Sequence, residues 1–205
     1  MRRIILASGS PRRKELMELM GLEFECVPSE FEEKLDGNRE PKEVAKELAL
    51  GKALDVARKY PDALVVGSDV FVVFEGRQLG KQPDAETAKV LLRKMSGKSV
   101  EVYTSVALVC HETGLRQAEV AVSTVVYAPY DDAVIDRFLA TDVWRDKAGA
   151  MAIQHPLSPP IDHIEGDYDT ILGLSTRLLS RLLTAQGIPC HPADLPLPKT
   201  IRKLA

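Results

Sequence analysis

The sequence has few cysteines, few aromatic residues and no long apolar run. Its 205 residues include three cysteines, and aromatic residues make up 5% of the chain. Cys26, Cys110 and Cys190 are far apart and odd in number, which argues against a disulfide framework and against paired zinc or redox ligands. No apolar stretch approaches the length of a membrane span, and the one near the N-terminus is too short for a signal-peptide core. We therefore expect a cytoplasmic protein that does not engage a membrane.

Neither sign of charge dominates the sequence. It contains 27 Lys and Arg residues against 30 Asp and Glu residues, for a net charge of −3. Such a chain has no global positive field to attract nucleic acid, so any anion site must be local. The four histidines do not fall at zinc-ligand spacing. The G-x-G-x-x-G, G-x-S-x-G and H-E-x-x-H patterns are missing, and residues 76–82 lack the spacing and the final Ser or Thr of a P-loop.

The pattern of apolar residues predicts alternating strands and helices. Strands are expected at 3–7, 23–28, 63–67, 70–75, 100–110 and 115–128, and helices at 11–20, 41–59, 84–95, 131–140 and 175–186. Turn signals at 75–77 and 111–114 indicate antiparallel neighbours, so the sheet of this α/β fold should be mixed. We expect one domain over residues 1–187, followed by a proline-rich tail over 188–205 that is extended or partly disordered.

The opening stretch, residues 4–16, predicts a strand, a turn of small residues and a helix. Pro11 fits the first helical position, and Arg12 and Arg13 follow in the first turn. The first N–H groups of a helix are unpaired and carry partial positive charge, and Gly9 with its flanking serines allows a ligand oxygen to approach. The stretch is therefore typical of a phosphate cradle. The alternative is an ordinary connection whose arginines face water.

Two acidic segments are candidates for chemistry. Asp69 follows the apolar run 63–67, which places a carboxylate at the C-terminal edge of a strand, where open α/β sheets bind ligands. Glu32 lies in the acidic cluster 29–34, where the alternative is a solvated charged face. Asp69 is therefore the stronger candidate of the two.

Two lysines stand beside glycines, an arrangement that lets the backbone and an ammonium group reach one anion. They are Lys52, after Gly51, and Lys81, after Gly80. Gly51 lies inside the predicted helix 41–59, where glycine costs ~1 kcal/mol relative to alanine. We therefore expect another group to pack closely against Gly51.

Several ordered blocks together resemble one known family. They are residues 6–16 (LASGSPRRKEL), 29–33 (SEFEE), 66–69 (VGSD), 79–81 (LGK), 92–97 (LRKMSG), 146–150 (DKAGA), 153–154 (IQ) and 164–168 (IEGDY). On these blocks the chain resembles, to about residue 187, the Maf family of nucleoside triphosphate pyrophosphatases, which share an architecture with the inosine triphosphate pyrophosphatases. The resemblance implies an α/β fold with a mixed, strongly twisted sheet flanked by helices, in two lobes around a central cleft.

The resemblance also implies a house-cleaning enzyme that splits dTTP or UTP between the α and β phosphates, releasing a monophosphate and pyrophosphate. It implies a divalent metal cofactor, Mg²⁺ or Mn²⁺, and a homodimer. Asp69 would be the catalytic residue, as metal ligand, as proton acceptor or as both, with Glu32 as a second metal ligand. The expected substrate-binding residues are Ser8, Arg12, Arg13, Lys52, Lys81 and Gln154.

Base choice depends on a few positions. The amide of Gln154 offers a donor and an acceptor, which suits the imide edge of uracil or thymine, whereas the branch acting on 7-methyl-GTP tends to have a glutamate nearby. Val70, Val100 and His155 stand where the family usually has threonine, histidine and glycine, so a modified nucleotide remains an alternative substrate. A nucleotide-binding regulator of cell division, without turnover, is the non-enzymatic alternative.

Overall fold

The computed structural model describes residues 2–32, 39–198 and 201–203. Strands and helices alternate along these residues as the sequence predicts. In chain order they are β1 (Ile4–Leu6), α1 (Pro11–Leu19), β2 (Glu25–Cys26), α2 (Pro41–Ala57), β3 (Leu64–Phe74), β4 (Arg77–Leu79), α3 (Ala85–Met95), β5 (Ser99–Cys110), β6 (Leu115–Tyr127), α4 (Asp132–Leu139), β7 (Ile161–Glu165), α5 (Tyr168–Leu172), α6 (Thr176–Ala185) and β8 (Arg202–Lys203). Among the described residues, no helix combines the length and apolar character needed to span a bilayer.

The strands form one mixed sheet in the order β2-β1-β3-β5-β6-β7-β8, with β4 paired to β3. β1 runs parallel to β2 and β3, and β7 runs parallel to β8. The β3–β4 and β6–β7 pairs are antiparallel. The predicted α/β class and the predicted mixture of strand directions are both confirmed.

The chain divides into two compact units. The first contains Met1–Val70, Tyr103–Val122 and Asp167–Leu195, and the second contains Phe71–Val102, Ser123–Gly166 and Pro196–Ala205. The strands β3, β5 and β6 run from one unit into the other.

Small side chains bring α2 close to the sheet of the first unit. Ala49 and Ala53 of α2 are fully buried in a core cluster with residues of β1, β3 and β5. A Cβ atom added at Gly67 of β3 would lie 2.3 Å from the carbonyl oxygen of Ala49, so only glycine permits this approach. This close contact fixes the position of α2 against the middle of β3.

In the second unit, an aspartate caps the start of α3, and an ion pair links α3 to α4. Asp84 accepts a hydrogen bond of 2.8 Å from the N–H of Thr87 at the start of α3. The two helices are linked by an ion pair between Arg93 and Asp132, with Nε 2.6 Å from Oδ1.

Trp144 is fully buried, and its indole N–H donates to the Leu139 carbonyl at 3.0 Å, so its role is packing.

The structure differs from the sequence predictions at one functional position and at four short elements. β3 continues from Leu64 to Phe74, so the prediction that a strand ends at Asp69 is wrong. The polar pair Ser68-Asp69 remains in the strand because both side chains find partners there. The missed elements β4, β7, α5 and β8 have five residues or fewer each, which is too short for a periodic pattern.

The described part of the tail, residues 188–198 and 201–203, has little regular secondary structure. It contains no helix and ends in β8, whose Arg202 is paired with His163 of β7. Ile201, just before β8, is 8% exposed.

Candidate active site

The turn between β1 and α1 is organised around the Ser8 hydroxyl. Its oxygen accepts hydrogen bonds from the Ser10 N–H at 3.1 Å and from Nη1 of Arg13 at 3.2 Å. No acceptor for the hydroxyl proton of Ser8 occurs in the described part of the chain, so that proton is available to a ligand oxygen. Arg13 is 8% exposed, and its Nε donates to the carbonyl of Gly173 at 2.9 Å.

Arg12 completes the cationic start of α1. It is partly buried, and across residues 2–32, 39–198 and 201–203 it has no side-chain hydrogen bond or ion pair. The first turn of α1 contains no acidic residue, so nothing in it neutralises the positive end of the helix. These features fit the predicted phosphate cradle.

Lys52 and Asp69 form a buried ion pair. Nζ of Lys52 lies 2.5 Å from Oδ1 of Asp69, and the two side chains are 10% and 6% exposed. Two charges removed from water in this way are tolerated because each compensates the other. The structure therefore brings together two of the predicted site residues, from α2 and from β3.

Asp69 lies in the middle of its own strand, past the C-terminal end of the neighbouring strand β1. Leu6, the last residue of β1, is paired with Val66 of β3. Asp69 is three residues further along β3, which corresponds to about 10 Å beyond that pair at the usual rise of a strand. The Ser68-Asp69 segment therefore continues past the last paired residue of β1, with both of its residues buried. This is the C-terminal end of a parallel strand, where ligands bind in open α/β sheets.

The carbonyl of Gly173 joins the arginine to this segment. It accepts a hydrogen bond from Nε of Arg13, and the Ser68 hydroxyl lies 2.9 Å from it. The same hydroxyl lies 2.8 Å from the Ser105 carbonyl, and its single proton serves one of the two at a time. Sequence reasoning missed the roles of Ser68 and Gly173. The role of Gly173 could not have been found, because a backbone carbonyl acts there.

The acidic segment that contains Glu32 is attached to α2. Asp55 of α2 accepts hydrogen bonds from the Ser29 hydroxyl at 3.0 Å and from the Glu30 N–H at 2.9 Å. These hydrogen bonds, that of Glu30 first, lower the pKa of Asp55. Glu32 itself is exposed. Residues 33–34, which complete the predicted acidic cluster, lie outside the described residues.

The predicted close contact at Gly51 is confirmed, and the group that makes it is the Phe31 ring. A Cβ atom added at Gly51 would lie 2.4 Å from Cζ of Phe31. The ring thus occupies the space beside Gly51, next in sequence to Lys52. The backbone that carries Glu32 is thereby held against the same helix that supplies Lys52.

Lys81 and Gln154 belong to the second unit. Lys81 is exposed, and its backbone forms a β-bridge with Ala148, next to a hydrogen bond of 2.9 Å from the Gly149 N–H to the Gly80 carbonyl. Gln154 is exposed as well. Neither side chain has a hydrogen-bond partner in the described ranges, so both are available to a ligand.

The three departures from the family pattern have different surroundings. Val100 is fully buried, so its side chain belongs to the core. Nδ1 of His155 accepts the N–H of Leu157 at 3.2 Å. Val70 packs against Gly173, because a Cβ atom added at Gly173 would lie 3.2 Å from Cγ1 of Val70. Only Val70 therefore adjoins a group that contacts Arg13.

Asp69 and Glu32 stay the predicted ligands of a divalent cation. The described residues contain no group of three or more His, Cys, Asp or Glu side chains placed to bind a metal ion. Mg²⁺ commonly uses one or two carboxylates together with water and substrate phosphates. Asp69 and Glu32 offer hard oxygen ligands of this kind, and Oδ2 of Asp69 accepts no hydrogen bond from the described residues.

The fold and the site define a mixed α/β protein with a cationic helix start after its first strand and a buried acid–lysine pair between α2 and β3. Comparison with known proteins makes this class specific. The chain belongs to the family described as Maf-like protein, whose model matches residues 3–186. Its relatives include proteins named dTTP/UTP pyrophosphatase from Bacillus cereus (strain ZK / E33L), Bacillus anthracis and Bacillus cytotoxicus. Each is 42% identical over 183 residues, covering 89% of this chain and 95% of the relative.

Proposed function

We propose that this protein is a nucleoside triphosphate pyrophosphatase that hydrolyses the α–β phosphate bond of dTTP and UTP. The products are the nucleoside monophosphate and pyrophosphate. Its membership of the Maf-like family and the names of its relatives support this activity. The structural observation that carries the proposal is the buried pair of Lys52 and Asp69, past the C-terminal end of β1 and in the unit that also holds the cationic start of α1.

The basic side chains bind the phosphates. A triphosphate carries several negative charges, and preformed donors stabilise the charge that develops on its leaving group. Arg12 and Ser8 offer donors that have no other acceptor in the described part of the chain. Arg13 is oriented by the Gly173 carbonyl, and Lys81 supplies a further exposed ammonium group.

Asp69 acts on the attacking water. The water oxygen bonds to the α phosphorus while the bond to the bridging oxygen breaks, and pyrophosphate leaves with that oxygen. The proton of the water passes to the Asp69 carboxylate and then to solvent. When bound, a divalent cation would neutralise phosphate charge and lower the pKa of a coordinated water. Asp69 and Glu32 would hold it, so Asp69 serves as proton acceptor, as metal ligand or as both.

Gln154 selects the base in this proposal. Its exposed amide can donate and accept at once, which matches the imide edge of uracil and thymine. Val70 provides no hydroxyl at its position, so base selection rests on Gln154 and on contacts of the backbone. The alternative is a 7-methyl-GTP or other modified-nucleotide pyrophosphatase.

A panel of nucleoside triphosphates tests the proposal directly. The purified chain, with Mg²⁺ or Mn²⁺, is assayed for pyrophosphate and for single phosphate with UTP, dTTP, the other common nucleotides and 7-methyl-GTP. We expect pyrophosphate release, fastest with UTP or dTTP. Single-phosphate release contradicts the bond assignment, and preference for 7-methyl-GTP contradicts the base assignment. Tight binding without turnover favours the regulator of cell division.

We also propose a cytoplasmic homodimer, on the family resemblance alone. Light scattering on the purified chain measures the oligomeric state, and fractionation of the source cells measures location. A monomeric mass at assay concentration contradicts the dimer.

A further inference from the structure

We propose that Asp169 and Thr176 are positioning residues for Arg13, acting through the carbonyl of Gly173. This inference rests on the proposed function insofar as Arg13 binds the substrate phosphates. All the residues concerned lie in the first unit. Sequence reasoning assigned no role to Asp169 or Thr176.

Asp169 holds the chain on both sides of Gly173. Its backbone oxygen accepts the N–H groups of Gly173 at 3.1 Å and Leu174 at 3.2 Å, which closes the end of α5. Its carboxylate Oδ2 accepts the N–H of Thr176 at 2.7 Å and the Thr176 hydroxyl at 2.5 Å, which opens α6. Asp169 therefore links the end of α5 to the start of α6 across this turn.

The turn depends on an unusual backbone conformation at Gly173. Gly173 has φ +106°, a conformation that L side chains rarely adopt. Asp169 is 6% exposed and Thr176 is 1% exposed, so water does not readily replace their hydrogen bonds. The direction of the Gly173 carbonyl, which accepts Nε of Arg13, is therefore set by buried polar contacts that do not touch Arg13 themselves.

The segment that follows α6 extends the same network. The Ala193 N–H donates to the Thr176 hydroxyl oxygen at 3.1 Å. Residue 193 lies beyond the part of the chain that the family model matches, residues 3–186. The hydrogen bonds thus run from Ala193 through Thr176 to Asp169, and the turn that Asp169 closes presents its carbonyl to Arg13.

Thr176→Val and Thr176→Ser are the matched pair that tests the inference. Valine keeps the shape but removes the hydroxyl, whereas serine keeps the hydroxyl. We expect Thr176→Val to raise KM for UTP about tenfold and to leave kcat within about threefold, because Arg13 contacts the phosphates before and during the reaction. Thr176→Ser should stay within about twofold of the unmodified protein.

A spectroscopic readout separates positioning from a general loss of stability. The buried Nε–H of Arg13 should give a slowly exchanging ¹H–¹⁵N signal in the unmodified chain, assigned by its loss in Arg13→Lys. Thr176→Val should shift this signal and speed its exchange, and Thr176→Ser should not. Ser180→Ala is the control, because it removes a hydrogen bond between α6 and the Cys190 carbonyl without touching the turn. It should change neither KM nor the signal.

Each outcome decides the inference. An unchanged Arg13 Nε–H signal in Thr176→Val overturns it. An unchanged KM for UTP in a variant whose Arg13 signal has shifted also overturns it. Should Thr176→Val not fold, Asp169→Asn, which keeps an oxygen acceptor but removes its charge, must change KM and the signal in the same direction. Absence of turnover in the unmodified protein contradicts the proposed function instead, and the Arg13 signal then still tests the network.

Discussion

Nζ of Lys52 lies 2.5 Å from Oδ1 of Asp69, and both side chains are almost completely buried. The pair joins α2 to the middle of β3. The two elements lie close together because Ala49 and Ala53 of α2 pack against Gly67 of β3. Because both charges are largely removed from water, the Asp69 carboxylate depends on the Lys52 ammonium group for its stability. The same pair therefore combines a structural role with the chemistry proposed for Asp69.

Asp69→Asn should reduce turnover of UTP by about 10²-fold or more, because the amide neither accepts the proton of water nor binds a hard cation well. The change hardly alters volume but removes the charge that compensates Lys52, so it costs stability, and circular dichroism checks that the variant is still folded under the assay conditions. Asp132→Asn is the control, since its carboxylate pairs with Arg93 in the second unit and not with Lys52 or Asp69. Turnover near normal in Asp69→Asn removes this residue from the mechanism.

Lys52→Met should lower the free energy of unfolding by about 3 kcal/mol, because it leaves the Asp69 carboxylate buried without its partner. Denaturant titration measures the loss. Combining Lys52→Met with Asp69→Asn removes both charges and should recover part of the stability. If the double variant is no more stable than Lys52→Met alone, charge compensation is not what holds the pair.

Gly51→Ala should destabilise the protein, although alanine favours an isolated helix by ~1 kcal/mol over glycine. The reason is the Phe31 ring, which lies 2.4 Å from the position of the new Cβ. In a Phe31→Ala background the obstacle is gone, and Gly51→Ala should then be stabilising. Thermal unfolding of the four proteins measures this reversal of sign, and the same sign in both backgrounds contradicts the contact.

Asp55 should make stability depend on pH. Hydrogen bonds from the Glu30 N–H and the Ser29 hydroxyl lower its pKa in the folded protein below the ordinary 3.8. Between the folded and the unfolded pKa of Asp55, the folded state therefore binds fewer protons than the unfolded state. The stabilisation is present above the unfolded pKa and is lost as pH falls through the folded pKa. Asp55→Asn should therefore cost stability at pH 7 and progressively less below about pH 4. Denaturant titrations from pH 7 to pH 3 measure it, and a pH-independent difference contradicts the assignment.

Gln78→Met should stabilise the second unit. Both amide atoms of Gln78 are buried and have no hydrogen-bond partner among the described residues. Burial of an unpaired polar group costs about 1–3 kcal/mol, which an apolar side chain of similar length avoids. Gln82→Met is the matched control, because the Gln82 amide donates to the Gly80 carbonyl at 3.1 Å. Differential scanning calorimetry should show a higher Tm for the first variant only.

Local patterns in the sequence were enough for the main elements and for several site residues. The helix that begins at Pro11 was predicted because proline suits a first helical position and the residues before it suit a tight turn. The close contact at Gly51 was predicted because glycine destabilises a helix relative to alanine, so its presence inside α2 indicates that a larger side chain would not fit. These inferences depend on a few neighbouring residues, whose steric preferences are the same in any chain.

The sequence by itself determined the order of strands and helices, the cationic start of α1 and the candidate acid Asp69. Only the tertiary structure decided that β3 continues through Asp69, that Lys52 is its partner, and that the Gly173 carbonyl orients Arg13. The physical reason is sequence separation. Lys52 and Asp69 are 17 residues apart, and Arg13 and Gly173 are 160 apart. Such contacts form only after the sheet has brought distant segments together, and a backbone carbonyl leaves no mark in the sequence.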